Sequence, residues 1–229
     1  MDKEVIELDA VAYSYGGGEI FSDVSVNLEQ GSFYFLTGPS GAGKTTFLKL
    51  CYGGLLPTAG HVRVFGAKVC SLERDQVAMM RRKIGIVQQD VQFLDHLPVS
   101  DNIVLPLTIS DRNSDLAAPD LDDLMNWVGL TDRARGLPEE LSGGERQRAA
   151  LARAVIMSPD IVLADEPTGN VDWEMSKRLL YLLTELNQMG KTVLIATHDL
   201  SLIRAAKAQV QARVLRISKR GVHLAGANL

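Results

Sequence analysis

The 229-residue sequence predicts an α/β domain with a parallel sheet at its core, an antiparallel β lobe before it and a helical segment inserted into it. Three observations lead to this fold class: short alternating runs near the N-terminus, a glycine-rich loop between a predicted strand and a predicted helix, and buried apolar runs between helical segments. With 46% hydrophobic residues the chain can bury one sizeable core, whereas two domains would each be small. We therefore expect one domain spanning residues 1–229.

The N-terminal region contains four short runs in which apolar and polar residues alternate, the pattern of strands that bury one face. They cover residues 5–8, 24–28, 32–36 and 61–64. Segments rich in glycine or proline separate them at residues 16–18, 30–31 and 57–60. This pattern predicts an N-terminal β meander.

The glycine-rich loop fits the pattern G-x-x-x-x-G-K-[ST], in which backbone N–H groups turn onto phosphate oxygens. A strand is expected over residues 32–37 and a helix from Thr46 onward, and the helix N-terminus adds partial positive charge at the same phosphate. Lys44 would reach the β- and γ-phosphates, and the Thr45 hydroxyl would bind Mg²⁺. The alternative is a glycine-rich turn without a ligand. The predicted nucleotide contacts are Gly38, Pro39, Ser40, Gly41, Ala42, Gly43, Lys44, Thr45 and Thr46, of which residues 38–45 form the phosphate loop.

Three later apolar runs, at residues 84–87, 161–164 and 192–196, suit strands of a parallel sheet covered on both faces. Between about residues 90 and 158 the pattern is mainly helical, with a polar, proline-containing interruption at residues 110–119. We expect this stretch to form a helical subdomain within the single domain.

Residues 141–145, the signature segment, combine two features that normally conflict. Ser142 and Glu145 fit an S-x-x-E capping box, and the helix that it starts would end near residues 158–159. Gly143 and Gly144 would occupy its first turn, where each glycine costs up to about 1 kcal/mol relative to alanine. Bare N–H groups at a helix start suit a γ-phosphate, so we interpret the glycines as making room for a ligand. The alternative is an ordinary helix cap.

Polar side chains follow three of the predicted buried strands. Asp165 and Glu166 come directly after one of them; Asp165 is placed to coordinate Mg²⁺, and Glu166 to orient or deprotonate an attacking water. Gln89 follows a second strand as a candidate metal or water contact, and His198 follows a third as a candidate γ-phosphate contact. The alternatives are a solvated turn for the carboxylates and a structural hydrogen bond for the histidine.

Tyr15 is a weaker candidate site residue. It precedes a glycine turn, and its ring could stack on an adenine base. Packing in the core explains an aromatic residue at this position equally well.

Charge and composition argue against several classes of partner and site. The formal net charge of −4 gives no general reason to bind nucleic acid or an anionic membrane surface. We interpret the basic residues 81–83 as a solvated helix face, and the alternative is a local contact with an acidic partner. Two cysteines, Cys51 and Cys70, are too few for a disulfide framework or a zinc site, which fits a reducing cytosol. We find no signal peptide and no apolar run of 18 residues, so any membrane role is expected to be peripheral and to depend on a partner.

The order of these motifs resembles the ATP-binding cassette family over essentially the whole chain. The resemblance implies an α/β P-loop NTPase fold of the ABC ATPase type, with a mixed central sheet, an N-terminal antiparallel β lobe and an inserted helical subdomain. It also implies ATP and Mg²⁺ as ligands and a head-to-tail, ATP-dependent homodimer in which the phosphate loop of one chain faces the signature segment of the other. By this resemblance the adenine-stacking aromatic is Tyr15, the Q-loop glutamine Gln89, the signature contacts Ser142, Gly143, Gly144 and Glu145, the magnesium ligand Asp165, the catalytic base Glu166, the D-loop aspartate Asp172 and the switch histidine His198.

A narrower resemblance, carried by residues 35–44, 101–107 and 164–170, is to the FtsE family of bacterial cell-division ATPases. It implies an integral membrane partner of the FtsX type, control of cell-wall hydrolases, and a peripheral location on the cytoplasmic side of the inner membrane. The chain departs from the family pattern at Gln88, at Val171 and over residues 111–120. The alternatives are the ATPase of a lipoprotein-release or export transporter, a soluble ABC ATPase not involved in transport, and a nucleotide-binding scaffold without turnover.

Overall fold

The computed structural model of the chain describes residues 4–110, 118–169 and 171–225, and these residues form two β-sheets and seven α-helices. Three 3₁₀ turns lie between them at residues 69–71, 131–133 and 138–140. The elements in chain order are β1 (Glu4–Tyr15), β2 (Gly18–Glu29), β3 (Phe33–Thr37), α1 (Lys44–Cys51), β4 (Ala59–Val64), β5 (Ala67–Lys68), α2 (Arg74–Arg81), β6 (Ile84–Val87), α3 (Val99–Ile109), α4 (Ala118–Val128), α5 (Gly143–Val155), β7 (Ile161–Asp165), α6 (Trp173–Gln188), β8 (Thr192–Ala196), α7 (Leu200–Lys207), β9 (Ala212–Ser218) and β10 (Gly221–Leu224).

The central sheet is mixed and has the strand order β10-β9-β3-β8-β7-β6. All its pairings are parallel except the antiparallel pair of β9 and β10. Strands β3, β7 and β8 are buried along their whole length, which explains their continuous apolar runs. Because neighbouring parallel strands end at the same edge, the residues that follow β3, β6, β7 and β8 are brought together there.

The second sheet is antiparallel, with the order β2-β1-β4-β5. Strands β1 and β2 contain 12 residues each and are far longer than the runs predicted from sequence. Irregularities in the register of β1 against β2 break the apolar alternation, which is why only part of each strand was recognisable. The hairpin turn consists of Gly16 and Gly17, both with positive φ, whereas Gly18 already belongs to β2.

The predicted helical stretch contains α3, α4 and α5, but it does not begin at residue 90. Residues 88–98 form an irregular loop, which the fully buried Asn102 organises through its side chain. The Asn102 Oδ1 atom accepts from the Leu94 N–H at 2.7 Å, and its Nδ2 atom donates to the carbonyls of Leu94, Leu97 and Pro98. The predicted interruption between helices, residues 110–119, ends two residues earlier than expected because α4 starts at Ala118. Residues 111–117 of this interruption lie outside the described residues.

Two apolar clusters hold the layers together. One packs the antiparallel sheet and α1 against one face of the central sheet, and the other packs α3–α7 against the opposite face. Val171, one of the residues that depart from the family pattern, packs against the second cluster. Cys51 is fully buried in the first cluster, where burial raises the pKa of its thiol. Among the described residues, no helix combines the length and the apolarity required to cross a bilayer.

Candidate functional site

A cavity of about 670 Å³ lies at the edge of the central sheet where β3, β6, β7 and β8 end. Most of the residues that the sequence predicted for a phosphate and metal site line it, and Gly38 and Ala42 belong to the same loop without lining it. Two lining residues, Ile20 and Gly169, were not predicted as site residues. The lining consists of Ile20, Pro39, Ser40, Gly41, Gly43, Lys44, Thr45, Thr46, Gln89, Asp165, Glu166, Gly169 and His198.

The phosphate loop requires glycine at specific positions. Gly41 and Gly43 have φ values of 75° and 100°, a backbone conformation that other residues rarely adopt. A Cβ atom on Gly43 would lie 2.6 Å from Cγ2 of Ile20, which reaches over the loop from β2. Helix α1 begins at the next residue, Lys44, so its free N–H groups face the cavity edge. The loop is therefore shaped by its own backbone for an anion.

Lys44 and Glu166 form a nearly buried ion pair at the base of the cavity. The Lys44 Nζ atom lies 3.3 Å from Oε1 of Glu166, and their side chains are only 9% and 10% exposed. Lys44 also donates to the Gly38 carbonyl at 3.2 Å. The same Glu166 oxygen accepts from Nδ1 of His198 at 2.9 Å, although the histidine ring itself is largely exposed. The three predicted residues thus form one connected cluster.

The backbone holds Glu166 in an unusual conformation. Its φ is 44°, in the left-handed region that a non-glycine residue seldom occupies. The Glu166 N–H donates to the Ala196 carbonyl at 2.8 Å, which ties the end of β7 to the end of β8. This bond holds the Glu166 backbone beside the cavity, where the Glu166 carboxylate contacts Lys44 and His198.

Asp165 and Thr45 supply oxygen atoms at the neighbouring position. The Thr45 hydroxyl hydrogen-bonds to the Asp165 carboxylate, and within the described chain the buried Oδ1 atom of Asp165 has no hydrogen-bond partner. Burial raises the pKa of Asp165, and the hydrogen bond from Thr45 opposes that rise. An unpartnered buried carboxylate oxygen beside a hydroxyl is a donor set that suits a hard divalent cation.

Gln89 lies between this cavity and a second, smaller one of about 370 Å³. The smaller cavity is also lined by Gly143, Arg146 and Gln147 from the start of α5. The Gln147 Nε2 atom donates to the Gln89 backbone carbonyl at 3.2 Å. Gln147 therefore connects the loop after β6 with the helix that begins at the signature segment.

The signature segment forms the capping box that the sequence predicted, and α5 starts directly after Ser142. The Ser142 hydroxyl accepts from the Glu145 N–H at 3.3 Å, and the Glu145 carboxylate accepts from the Ser142 N–H at 2.8 Å. Arg133 donates to the other Glu145 oxygen at 2.9 Å. The Ser142 N–H is the main cause, and Arg133 a further one, of a Glu145 pKa lowered to about 2. None of these residues lines the larger cavity.

The two glycines of the signature segment have different structural roles. Gly144 is buried, and a Cβ atom there would lie 2.7 Å from Cγ of Met175, which fills the space from α6. Packing against Met175 is therefore one reason for glycine at position 144, and the predicted nucleotide contact of Gly144 stays a prediction. Gly143 is exposed and leaves its backbone open to a ligand.

Asp172 and Tyr15 lie outside the larger cavity. Asp172 is the N-cap of α6, where its side chain accepts from the Met175 N–H at 2.8 Å. Tyr15 ends β1 with 48% of its surface exposed, and its ring packs edge-on against Tyr13 at 4.8 Å. The roles predicted for these two residues stay predictions.

Similarity to known proteins covers most of the chain. A protein-family profile described as ABC transporter matches residues 21–169. The cell division ATP-binding protein FtsE of Mycobacterium tuberculosis is 39% identical over 225 residues, covering 96% of this chain and 98% of that protein. FtsE of Escherichia coli is 42% identical over 200 residues, covering 87% and 90%. A solved dimer of the ATP-binding cassette MJ0796 with ADP and Pi matches with a TM-score of 0.84 at 31% identity, over 95% of this chain and 96% of that one.

Proposed function

The chain belongs to the ABC transporter family, and on that premise we propose that it is the ATP-hydrolysing subunit of an ABC complex that acts in bacterial cell division. The observation that carries this proposal is the cluster of Lys44, Glu166 and His198 beside the phosphate loop. Lys44 provides a positive charge for the phosphates, Glu166 provides a carboxylate for the attacking water, and His198 lies beside them. All three line one cavity at the edge of the sheet where the parallel strands have their carboxyl ends.

ATP binding exchanges the partners of Lys44. Its Nζ atom contacts the Glu166 carboxylate and the Gly38 carbonyl, both of which are weaker partners than a triphosphate. When the β- and γ-phosphates occupy the loop, Lys44 turns to them, and the glycine N–H groups and the start of α1 complete the phosphate contacts. The exchange releases the Glu166 carboxylate from its ion pair. Binding of the substrate thereby prepares the base.

Thr45 and Asp165 are the residues that would hold Mg²⁺, with Gln89 at the cavity wall as a further ligand. Their fit rests on the buried Asp165 oxygen that has no partner within the described residues. A Mg²⁺ ion held by these residues would neutralise the negative charge that develops on the β- and γ-phosphates.

Glu166 then acts as the general base. Once released from Lys44, its carboxylate accepts a proton from the water that attacks the γ-phosphorus, and the anhydride bond to ADP breaks. His198 keeps the carboxylate oriented through its Nδ1–H and lies where it can contact the γ-phosphate. The strained backbone of Glu166 contributes by holding the carboxylate in position beforehand.

The second half of the site comes from another copy of the chain. Ser142, Gly143 and Glu145 form an open helix start that lies outside the cavity of their own chain, so they are available to a nucleotide held elsewhere. The MJ0796 cassette, which this chain resembles over 95% of its length, was solved as a dimer. We propose the same arrangement here: a head-to-tail homodimer in which ATP joins the phosphate loop of one chain to the signature segment of the other, with Asp172 near the contact and Tyr15 against adenine.

The membrane partner that fits the cell-division relatives is an integral protein of the FtsX type, which would hold the ATPase on the cytoplasmic side of the inner membrane. ATP-driven closing and opening of the dimer would then be transmitted through this partner to the control of cell-wall hydrolases. Residues 1–229 would act as one ATPase domain, with a helical subdomain within residues 90–158.

Two measurements test this function. The purified chain should hydrolyse ATP in a Mg²⁺-dependent manner, and it should co-purify from membranes with a co-expressed FtsX-type protein. A chain that binds ATP without turning it over would contradict the enzymatic part of the proposal. Co-purification with a lipoprotein-release permease in place of the FtsX-type protein would contradict the assignment to cell division.

A further inference from the structure

A separate cavity of about 270 Å³ lies between the C-terminal parts of three helices. Leu124 and Trp127 of α4, Val155 of α5 and Leu186 of α6 line it, together with the buried Val162 of β7. None of its lining residues borders the nucleotide cavity or the smaller cavity beside it. The proposed ATPase reaction therefore gives this cavity no role.

The cavity has the size and the rigid wall that an aromatic or branched apolar group requires. An engineered apolar cavity of about 150 Å³ binds benzene, so a volume of about 270 Å³ has room for a ring and several further atoms. The Trp127 indole is held by its Nε1–H, which donates to Glu185 at 2.9 Å, and Glu185 also accepts from the Tyr181 hydroxyl at 2.8 Å. Because this wall is already ordered, little side-chain entropy is lost when a ligand enters.

The charged residues that line the cavity have opposite signs. Asp123 of α4 is exposed, and Lys191, directly before β8, is half-buried. Lys191 donates through Nζ to the Ser158 backbone carbonyl at 3.2 Å and to the Ser158 hydroxyl oxygen at 3.4 Å, and Ser158 also lines the cavity. Among the described residues, neither Asp123 nor Lys191 belongs to an ion pair, so neither charge is neutralised by the other.

We propose that this cavity binds a free apolar α-amino acid, such as phenylalanine or leucine. The side chain of the ligand packs against Trp127, its ammonium group pairs with Asp123, and its carboxylate pairs with Lys191 and accepts from the Ser158 hydroxyl. A neutral apolar molecule would leave both charges unused, and an apolar anion or cation would meet one charge of its own sign. The zwitterion is the ligand class that matches the apolar lining and both charges. This site goes beyond the proposed function and does not depend on it.

Trp127 reports binding directly, because its indole lines the cavity. The chain contains two tryptophans, so in a Trp173→Phe background the emission comes from Trp127 alone. L-phenylalanine should change this emission in a saturable manner. N-acetylphenylalanine lacks the ammonium charge and phenylalanine amide lacks the carboxylate, and each should bind about threefold to fivefold more weakly, the effect of one partly exposed ion pair. The two derivatives also represent the C-terminal and the N-terminal residue of a peptide, so tighter binding of either one than of the amino acid would overturn the proposal.

Two variants that each remove one charge assign the charges of the ligand to their partners. Lys191→Met should weaken binding of L-phenylalanine about threefold to fivefold and should bind phenylalanine amide as well as it binds the amino acid. Asp123→Asn should do the same with N-acetylphenylalanine. Lys177→Met is the matched control, since Lys177 is an exposed lysine of α6 that does not line the cavity, and it should leave binding unchanged.

Two results would refute this site. One is the absence of any saturable change in Trp127 emission with L-phenylalanine. The other is binding of all three ligands by Lys191→Met and by Asp123→Asn with the affinities of the parent, because the two charges would then make no contact with the ligand.

Discussion

Replacement of Glu166 by glutamine should raise the affinity for ATP and abolish most of the turnover. The substitution keeps the shape and one acceptor oxygen of the side chain but removes the charge that pairs with Lys44. At the 3.3 Å separation and an effective dielectric constant of about 20, the attraction is about 5 kcal/mol, which is an upper bound. The cost of removing both charges from water offsets most of this attraction. The net free energy of the ion pair, which ATP binding must overcome, is then about 1–2 kcal/mol. We therefore expect ATP to bind about tenfold more tightly, by about 1.4 kcal/mol, to Glu166→Gln.

Affinity is best measured by calorimetry in EDTA, so that the parent does not consume the ligand. Turnover is then measured with Mg²⁺ and should fall by about a hundredfold or more, because a general base typically contributes that much. Glu7→Gln is the matched control: it removes the same charge from an ion pair with Arg63 in the antiparallel sheet and should change neither quantity. An unchanged or weaker affinity of Glu166→Gln would refute the exchange of partners at Lys44, and turnover close to that of the parent would refute Glu166 as the base.

Three further predictions concern Lys44 and the signature segment. Lys44→Ala should lose tight ATP binding in the same calorimetric assay, because it removes the main protein charge at the phosphates; retained affinity would remove that role. Gly144→Ala should lower the free energy of unfolding in urea by about 1–3 kcal/mol, because the new Cβ atom clashes with Met175. Adding Met175→Ala should recover part of that loss. If the effects of the two substitutions on the free energy of unfolding simply add, the two residues do not interact. Glu145 has a pKa lowered from 4.5 to about 2, so its stabilising contribution is complete above pH 4.5 and is lost as the pH falls toward 2. The stability difference between the parent and Glu145→Gln should therefore narrow between pH 5 and pH 3, and a constant difference would contradict this origin of the shift.

Local sequence patterns were sufficient to predict the parts of the structure that depend on local physics. The buried strands β3, β7 and β8, the phosphate loop and the capping box at Ser142 each have a short pattern whose physical cause lies within a few neighbouring residues. The meeting of Lys44, Glu166 and His198 was also predictable, because parallel strands bring their carboxyl ends to one edge.

Features that depend on contacts between distant segments could not be obtained in this way. The packing of Met175 against Gly144 joins two helices that are far apart in sequence, and the pattern around Gly144 has no trace of it. Ile20 covers the phosphate loop only because the β1–β2 hairpin is longer than its apolar alternation indicates. Strands β9 and β10 were not predicted at all, although β9 lies next to β3 in the central sheet.

The claim that each ATP site is shared between two chains is tested most directly by mixing two inactive variants. Lys44→Ala damages the phosphate loop, and Gly143→Asp adds bulk and negative charge at the exposed signature glycine without the clash that Gly144 would suffer. Each variant alone should be inactive. An equal mixture should recover up to about a quarter of the parent ATPase rate, because half of the randomly formed dimers carry one intact site out of two. A mixture as inactive as its components would contradict the shared site.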